Sequence, residues 1–182
     1  MVLEKLAHPP VVEVICGVWF DPVPAIDPLL LGSYWSERRE RFPGRNLLPA
    51  IEAPGLRIGP PNQRVWLSSA DETYVLQIQN DRFYLNWRSM GGEYPRFSPN
   101  GALEEQFLEE WARFAEFRGE VGIDEISPRV AEVGKVDHLQ FPDAGEIGRL
   151  MPSLAGVGSL LDDESGAAQL HVSNGRPPAS TK

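Results

Sequence analysis

A chain of 182 residues, 42% hydrophobic and 24% charged, has the composition of a globular protein, which excludes wholesale disorder. Its net charge of −9 excludes a general nucleic-acid binder, because neutralising phosphates takes a surplus of lysine and arginine. A single cysteine, Cys16, excludes an intrachain disulfide, and no cysteine–histidine spacing matches a zinc site.

The opening Met1-Val-Leu-Glu-Lys lacks the n-region and h-region of a secretory signal, and no apolar run reaches membrane-spanning length. A soluble, cytoplasmic protein is expected, with no membrane partner. Pro9 and Pro10 precede a β-branched run from Val11 to Phe20 that is apolar on both faces, the pattern of a buried strand. Asp21-Pro-Val-Pro24 ends it. Asp27-Pro28 then supplies an N-cap and a first-turn proline for a helix with Leu31, Trp35 and Phe42 at helical spacing, stopped by Pro43-Gly44. The proline-rich stretch from Arg45 to Asn62 reads as a long loop with at most one short strand near Leu56-Arg-Ile58.

Residues 64–88 carry a three-stranded meander. A turn at Ala70-Asp-Glu72 separates its first two strands, and Asn80-Asp81 forms a two-residue hairpin turn of residues that tolerate positive φ. That turn sets Ile78 opposite Phe83, Leu76 opposite Leu85 and Tyr74 opposite Trp87, an apolar face for the core. The other face pairs Gln79 with Arg82, Gln77 with Tyr84, Val75 with Asn86 and Thr73 with Arg88. After the joint at Met90-Gly-Gly92, a helix capped near Ser98 or Asn100 carries the stripe Leu103, Phe107, Trp111 and Phe114, which should lie across the meander; Gly119 sits at its C-terminal end. The order strand, helix, three-strand meander, helix predicts an α+β unit over residues 1–119, with helices on one face of an antiparallel sheet.

Pro128-Arg-Val-Ala-Glu-Val133 resembles Pro9-Pro-Val-Val-Glu-Val14, so residues 120–173 read as a partial second copy of the unit. It would run as a strand through Val136 and Leu139, a helix after the capping-box pattern Asp143-Ala-Gly-Glu146, and a strand at 168–173. Residues 174–182 read as a disordered tail.

Gln77-Ile-Gln-Asn-Asp-Arg-Phe-Tyr-Leu-Asn-Trp-Arg88, Tyr94-Pro-Arg96 and the Phe107/Trp111/Phe114 helix closely resemble a sporadically distributed bacterial family of uncharacterised proteins. The resemblance spans residues 9–118 and includes the Pro-Pro-Val-Val-Glu-Val opening. Family members are typically longer, and the chain departs from them after about residue 150. The resemblance implies the fold and a patchy occurrence of the kind mobile and accessory genes show. It implies no chemistry.

Few residues point to catalysis. Gly156-Val-Gly158 lacks the third glycine and the strand–turn–helix of a dinucleotide site, so no cofactor is expected. His8, His138 and His171 are scattered, no nucleophile elbow is present, and no metal is expected. Glu105, Glu109 and Glu116 line a helix side away from the aromatic stripe and read as a solvated face, with Arg113 beside Glu109. Arg38, Arg39, Arg41 and Arg45 interleave with Glu37 and Glu40 and read as a mixed-charge face. The candidate binding residues are Gln77, Gln79, Tyr84, Asn86, Arg88 and Arg96, whose amides, phenol and guanidiniums share the polar face of the meander. The ordinary reading of such a face is a solvated outer surface.

The expected function is a non-enzymatic binding or interaction module that uses this face or an exposed sheet edge. The alternative is an enzyme acting on a small anionic substrate there, with Arg88 as anchor and Tyr84 or His138 as proton-transfer group. Expected partners are a protein, a small anionic ligand or a further copy of the chain, which a shortened second unit would need for completion.

Overall fold

The computed structural model describes residues 10–51, 63–90 and 102–138, together with Glu146 and Arg149. The first compact unit, Met1–His138, holds β1 (Val11–Phe20), α1 (Pro28–Arg38), β2 (Gly44–Pro49), β3 (Gln63–Ser68), β4 (Tyr74–Gln79), β5 (Arg82–Arg88), α2 (Ala102–Glu120) and β6 (Pro128–Asp137). The strands form one antiparallel sheet in the order β2-β3-β4-β5-β1-β6. Both helices pack on one face of it, the α+β architecture that the sequence predicts. No helix among the described residues is long and apolar enough to cross a membrane.

The period-2 pattern decides what each face carries. Val14, Cys16, Val18 and Phe20 of β1 join Val65, Leu67, Leu76, Ile78, Phe83, Leu85 and Trp87 beneath the helices. Phe83 is the hub. Its ring lies 5.1 Å from Phe114, 5.2 Å from Trp111 and 6.0 Å from Phe107. Trp111 sits at the margin of this cluster, half-buried, while Phe117 takes a buried place beside Tyr34. The predicted stripe therefore holds at Leu103, Phe107 and Phe114 and gains Phe117 one turn later.

Local signals act largely as the sequence suggests. Asp27 caps α1 by accepting from the Leu29 and Leu30 amides, each at 2.9 Å, with Pro28 in the first turn. The registers across the Asn80-Asp81 turn are those predicted, Ile78 to Phe83 through Tyr74 to Trp87. The turn itself works differently. Glu72, in the preceding turn, is the described non-glycine residue with positive φ, 56°. The Asn80 and Asp81 carbonyls instead accept from Val23 and Phe20 amides at 2.8 and 3.0 Å, tying the hairpin to the end of β1.

Three expectations are corrected. Residues 44–49 form β2, an edge strand ending at Pro49, where the missing amide costs little. The short strand expected at 56–58 lies outside the described residues. Helix α2 runs through Gly119, and Gly122, at φ 74°, ends it instead. The Ile123 amide reaches the Arg118 carbonyl and the Gly122 amide reaches the Gly119 carbonyl, a Schellman closure that needs the left-handed residue at 122. The segment expected to open a second copy forms β6, hydrogen-bonded beside β1 as the sixth strand of the sheet, and most of the rest of that expected unit lies outside the described residues. The third correction concerns the polar face and is described below.

In the second unit, Leu139–Lys182, Glu146 and Arg149 are helical and joined by an ion pair of 2.6 Å. The strand expected at 168–173 and the tail from 174 lie outside the described residues.

Candidate functional site

On the sheet face away from the helices, the strand registers assemble a layer that gathers most of the sheet's buried amides, phenol and guanidiniums among apolar neighbours. One row reads Asn46, Trp66, Gln77, Tyr84, Gly17, Glu132 across six strands. The next reads Gly44, Ser68, Val75, Asn86, Ile15, Gly134. Beyond it Arg88 opposes Glu13, and on the other flank Gln79, Arg82 and Trp19 stand in line.

The ordinary reading of this face as solvated is overturned: Gln77, Gln79, Tyr84 and Asn86 are at most 5% exposed. Buried polar groups must find partners, and most of these do so within the layer. Gln79 brackets the backbone of Ile51, accepting from its amide at 2.9 Å and donating to its carbonyl at 3.2 Å, and also donates to Asp81. Arg64 donates to the side-chain Oε1 of Gln77 at 2.6 Å, and the Asn86 side-chain amide donates to Glu13 at 2.6 Å. Arg82 packs its guanidinium 4.0 Å above the Trp19 ring.

Tyr84 is positioned by Gly17. A Cβ at residue 17 would fall inside the Tyr84 ring, so the absent side chain lets the ring lie across β1 toward β6. There the Tyr84 hydroxyl donates to Glu132 Oε2 at 2.9 Å, and Trp19 Nε1 donates to the same oxygen at 2.8 Å. One carboxylate oxygen thus ties three strands together. Burial first, then the Glu132 charge, pushes the Tyr84 phenol up to about 12. The folded state favours the protonated phenol, so this contribution to stability is present below about pH 10 and lost as pH rises toward 12. Tyr84→Phe should therefore flatten the alkaline fall in stability, read as unfolding midpoints between pH 10 and 12.

A phenol so raised is a donor at neutral pH and a poor proton shuttle. His138, the alternative proton-transfer group, is exposed just past the end of β6, its amide donating to the Pro10 carbonyl at 2.9 Å.

Arg88 differs from the rest of the layer. It is half-buried at the layer's end, its amide bonded to the Thr73 carbonyl at 2.8 Å. Its guanidinium lies 5.8 Å from the Trp66 ring and makes no hydrogen bond or ion pair among the described residues. Arg64 lies 5.6 Å from the same ring, and its Nε has no partner. Asn86 Oδ1 and Arg82 Nε are likewise unpartnered by hydrogen bonds, the latter 3.6 Å from Asp81. Arg96 lies outside the described residues.

Sequence reasoning missed Glu110. Its carboxylate is fully buried on α2 and binds Arg38 at 2.5 and 3.2 Å and Arg41 at 2.8 Å, pinning α1 to α2. Two members of the supposed mixed-charge face are therefore structural ties. Arg39 is exposed, and Arg45 stacks 4.0 Å over Trp35. Glu105, Glu109 and Glu116 are exposed as expected, although Glu109 lies near Arg41, at 4.0 Å. Glu110 sits one residue from Glu109 and one turn before Phe114, a spacing that does place it inward. A shallow cavity of about 150 Å³ lined by Tyr34, Arg38, Arg113 and Phe117 lies beside this tie, and a groove of about 320 Å³ runs between α1 and β2–β3. Among the described residues no cluster of histidine, cysteine and carboxylate groups could hold a metal ion. Compared with known proteins, the chain matches no family model, no curated protein and no solved structure.

Proposed function

We propose that this chain is a non-enzymatic binding module that takes a carboxylate- or phosphate-bearing partner at the Arg88 end of the polar layer. The observation that supports this reading is the pair of guanidiniums, Arg64 and Arg88, that lie 5.6 and 5.8 Å from one indole in the polar layer. Each cation lies within cation–π reach of the Trp66 ring, a contact that reduces the rotamer freedom an anion would have to freeze out. Arginine matches carboxylate and phosphate in two-pronged fashion, and among the described residues nothing takes up the Arg88 fork. Glu13 stands opposite Arg88 and accepts from Asn86, so the local charge is only partly compensated.

Arg88→Ala should leave thermal stability within about 0.5 kcal/mol of wild type, because a half-exposed arginine without an ion pair contributes little to folding. It should also weaken binding of inorganic phosphate and of an acidic peptide, measured by calorimetric titration. Arg88→Lys should restore only part of that binding, since an ammonium offers a point charge and no fork. Unfolding by Arg88→Ala would make the side chain a structural tie, and undiminished binding would remove this site.

A further inference from the structure

Strand β6 is a ten-residue edge, and among the described residues no strand pairs with its outer side. Its side chains are exposed or half-exposed along the whole length, with Val130 at 48% and Val133 at 53%. A long edge with open valines is the feature that folded proteins usually blunt. The other edge, β2, is six residues long and ends in proline.

We infer that a second copy of this chain occupies the β6 edge, the two strands pairing antiparallel about a two-fold axis at Val133 to continue the sheet. The sequence of β6 carries the argument. Directly opposed residues in an antiparallel ladder lie on the same face, so a self-pairing strand has few allowed registers. Centred on Val133, that residue meets its own counterpart, Val130 meets the partner's Val136, and Arg129 meets the partner's Asp137 at each end. Glu132 opposes glycine and Lys135 opposes alanine, so no like charges face one another. The neighbouring registers lack this match. Centring on Glu132 sets two glutamates together and Arg129 against the partner's Lys135; centring on Gly134 sets Val133 against the partner's Lys135. Lys135, the residue type that commonly discourages edge pairing, is placed beside a small side chain only in the Val133 register.

Both ends of the strand are prepared for this. Arg129 sits at a register shift opposite the Trp19–Phe20 step and is exposed, with Nε and Nη2 donating to Asp21. A guanidinium has donors enough for a second carboxylate, and the partner's Asp137 would supply it. Glu132, held by Trp19 and Tyr84, fixes the strand to the sheet and keeps its own charge turned into the layer.

The test is sedimentation of the full chain across the micromolar range. Wild type should show a concentration-dependent dimer, and Val133→Lys, which sets two ammoniums together at the axis, should sediment as a folded monomer. Asp137→Arg should weaken the dimer by setting Arg129 against a second arginine, and adding Arg129→Asp should restore it. Should Val133→Lys fail to fold, crosslinking decides. Cys16 opposes Val133 across the β1–β6 ladder and would capture a new cysteine, so it is replaced by alanine. In that background Val133→Cys should oxidise to a covalent dimer, since self-opposed residues lie about 4.5–5.5 Å apart, within disulfide reach. Ala131→Cys, which opposes Lys135, should not. Wild type monomeric throughout, a dimer that survives Val133→Lys, or crosslinking through Ala131→Cys would each overturn the inference. None of these outcomes bears on anion binding at Arg88, which is read by titration.

Discussion

Phe83→Ala is expected to destabilise the protein by about 3–5 kcal/mol, the usual cost of truncating a fully buried aromatic. Phe83 is 0% exposed and stands where β5 meets α2. Its ring stacks on Phe114 at 29° and meets Phe107 and Trp111 edge-on, so its loss opens a cavity against three rings at once. Those rings sit on a helix whose inner side is already tied to α1 through Glu110, which limits how far they can collapse. Trp111→Ala should cost less, because that ring is half-buried and contacts the cluster from its margin. Chemical denaturation of the two variants checks the order. A larger loss at Trp111 than at Phe83 would mean that the helix leans on the sheet through the wrong residue.

Gly17→Ala is expected to cost about 2–4 kcal/mol, although it adds a single methyl group. The new Cβ would lie within the Tyr84 ring and 2.8 Å from the Phe83 carbonyl oxygen, and the backbone cannot yield as a side chain can. Overpacking of this kind costs about 1–3 kcal/mol, and turning Tyr84 away adds about 1 kcal/mol for its bond to Glu132. Tyr84→Phe removes the hydroxyl without the clash. It should therefore be milder, and the difference between the two variants isolates the steric part. Equal losses would place the whole effect in the hydrogen bond.

The inner face of the sheet was legible because period-2 alternation, the Asn80-Asp81 turn and the aromatic spacing of α2 all agree, and each constrains the others. The Asp27-Pro28 start was legible because a cap acts through its immediate neighbours. Strand β2 was hidden: Gly44 to Pro49 shows only Leu47 and Leu48 as apolar residues and ends in proline, and it is held by pairing with β3 more than by its own pattern. The helix end was misplaced because Gly119 and Gly122 are both plausible stops, and only the left-handed geometry at 122 distinguishes them. The polar layer shows the deeper limit. Alternation predicts correctly that Gln77, Gln79, Tyr84, Asn86 and Arg88 share a face. It cannot say whether that face meets water, since burial depends on chain segments distant in sequence, such as Ile51 at Gln79 and Glu132 at Tyr84. Glu110 carried one readable signal, its place one turn before Phe114, but its partners Arg38 and Arg41 are distant in sequence and nothing local names them.

Gln77, Gln79 and Tyr84 spend their hydrogen bonds on the sheet and its connections, which fixes the registers that a purely apolar face would leave open to slippage. Arg88, at the layer's end, lies 5.8 Å from the Trp66 ring and opposite Glu13.

The most direct measurement is calorimetric titration of wild type, Arg88→Ala and Arg88→Lys with inorganic phosphate and with an acidic peptide, each repeated at raised salt. The proposed binding module predicts saturable, salt-sensitive binding of at least one of these probes by wild type, lost in the alanine variant and partly kept in the lysine variant, with all three equally folded. Binding that is the same in wild type and Arg88→Ala, or absent from wild type with both probes, would contradict it.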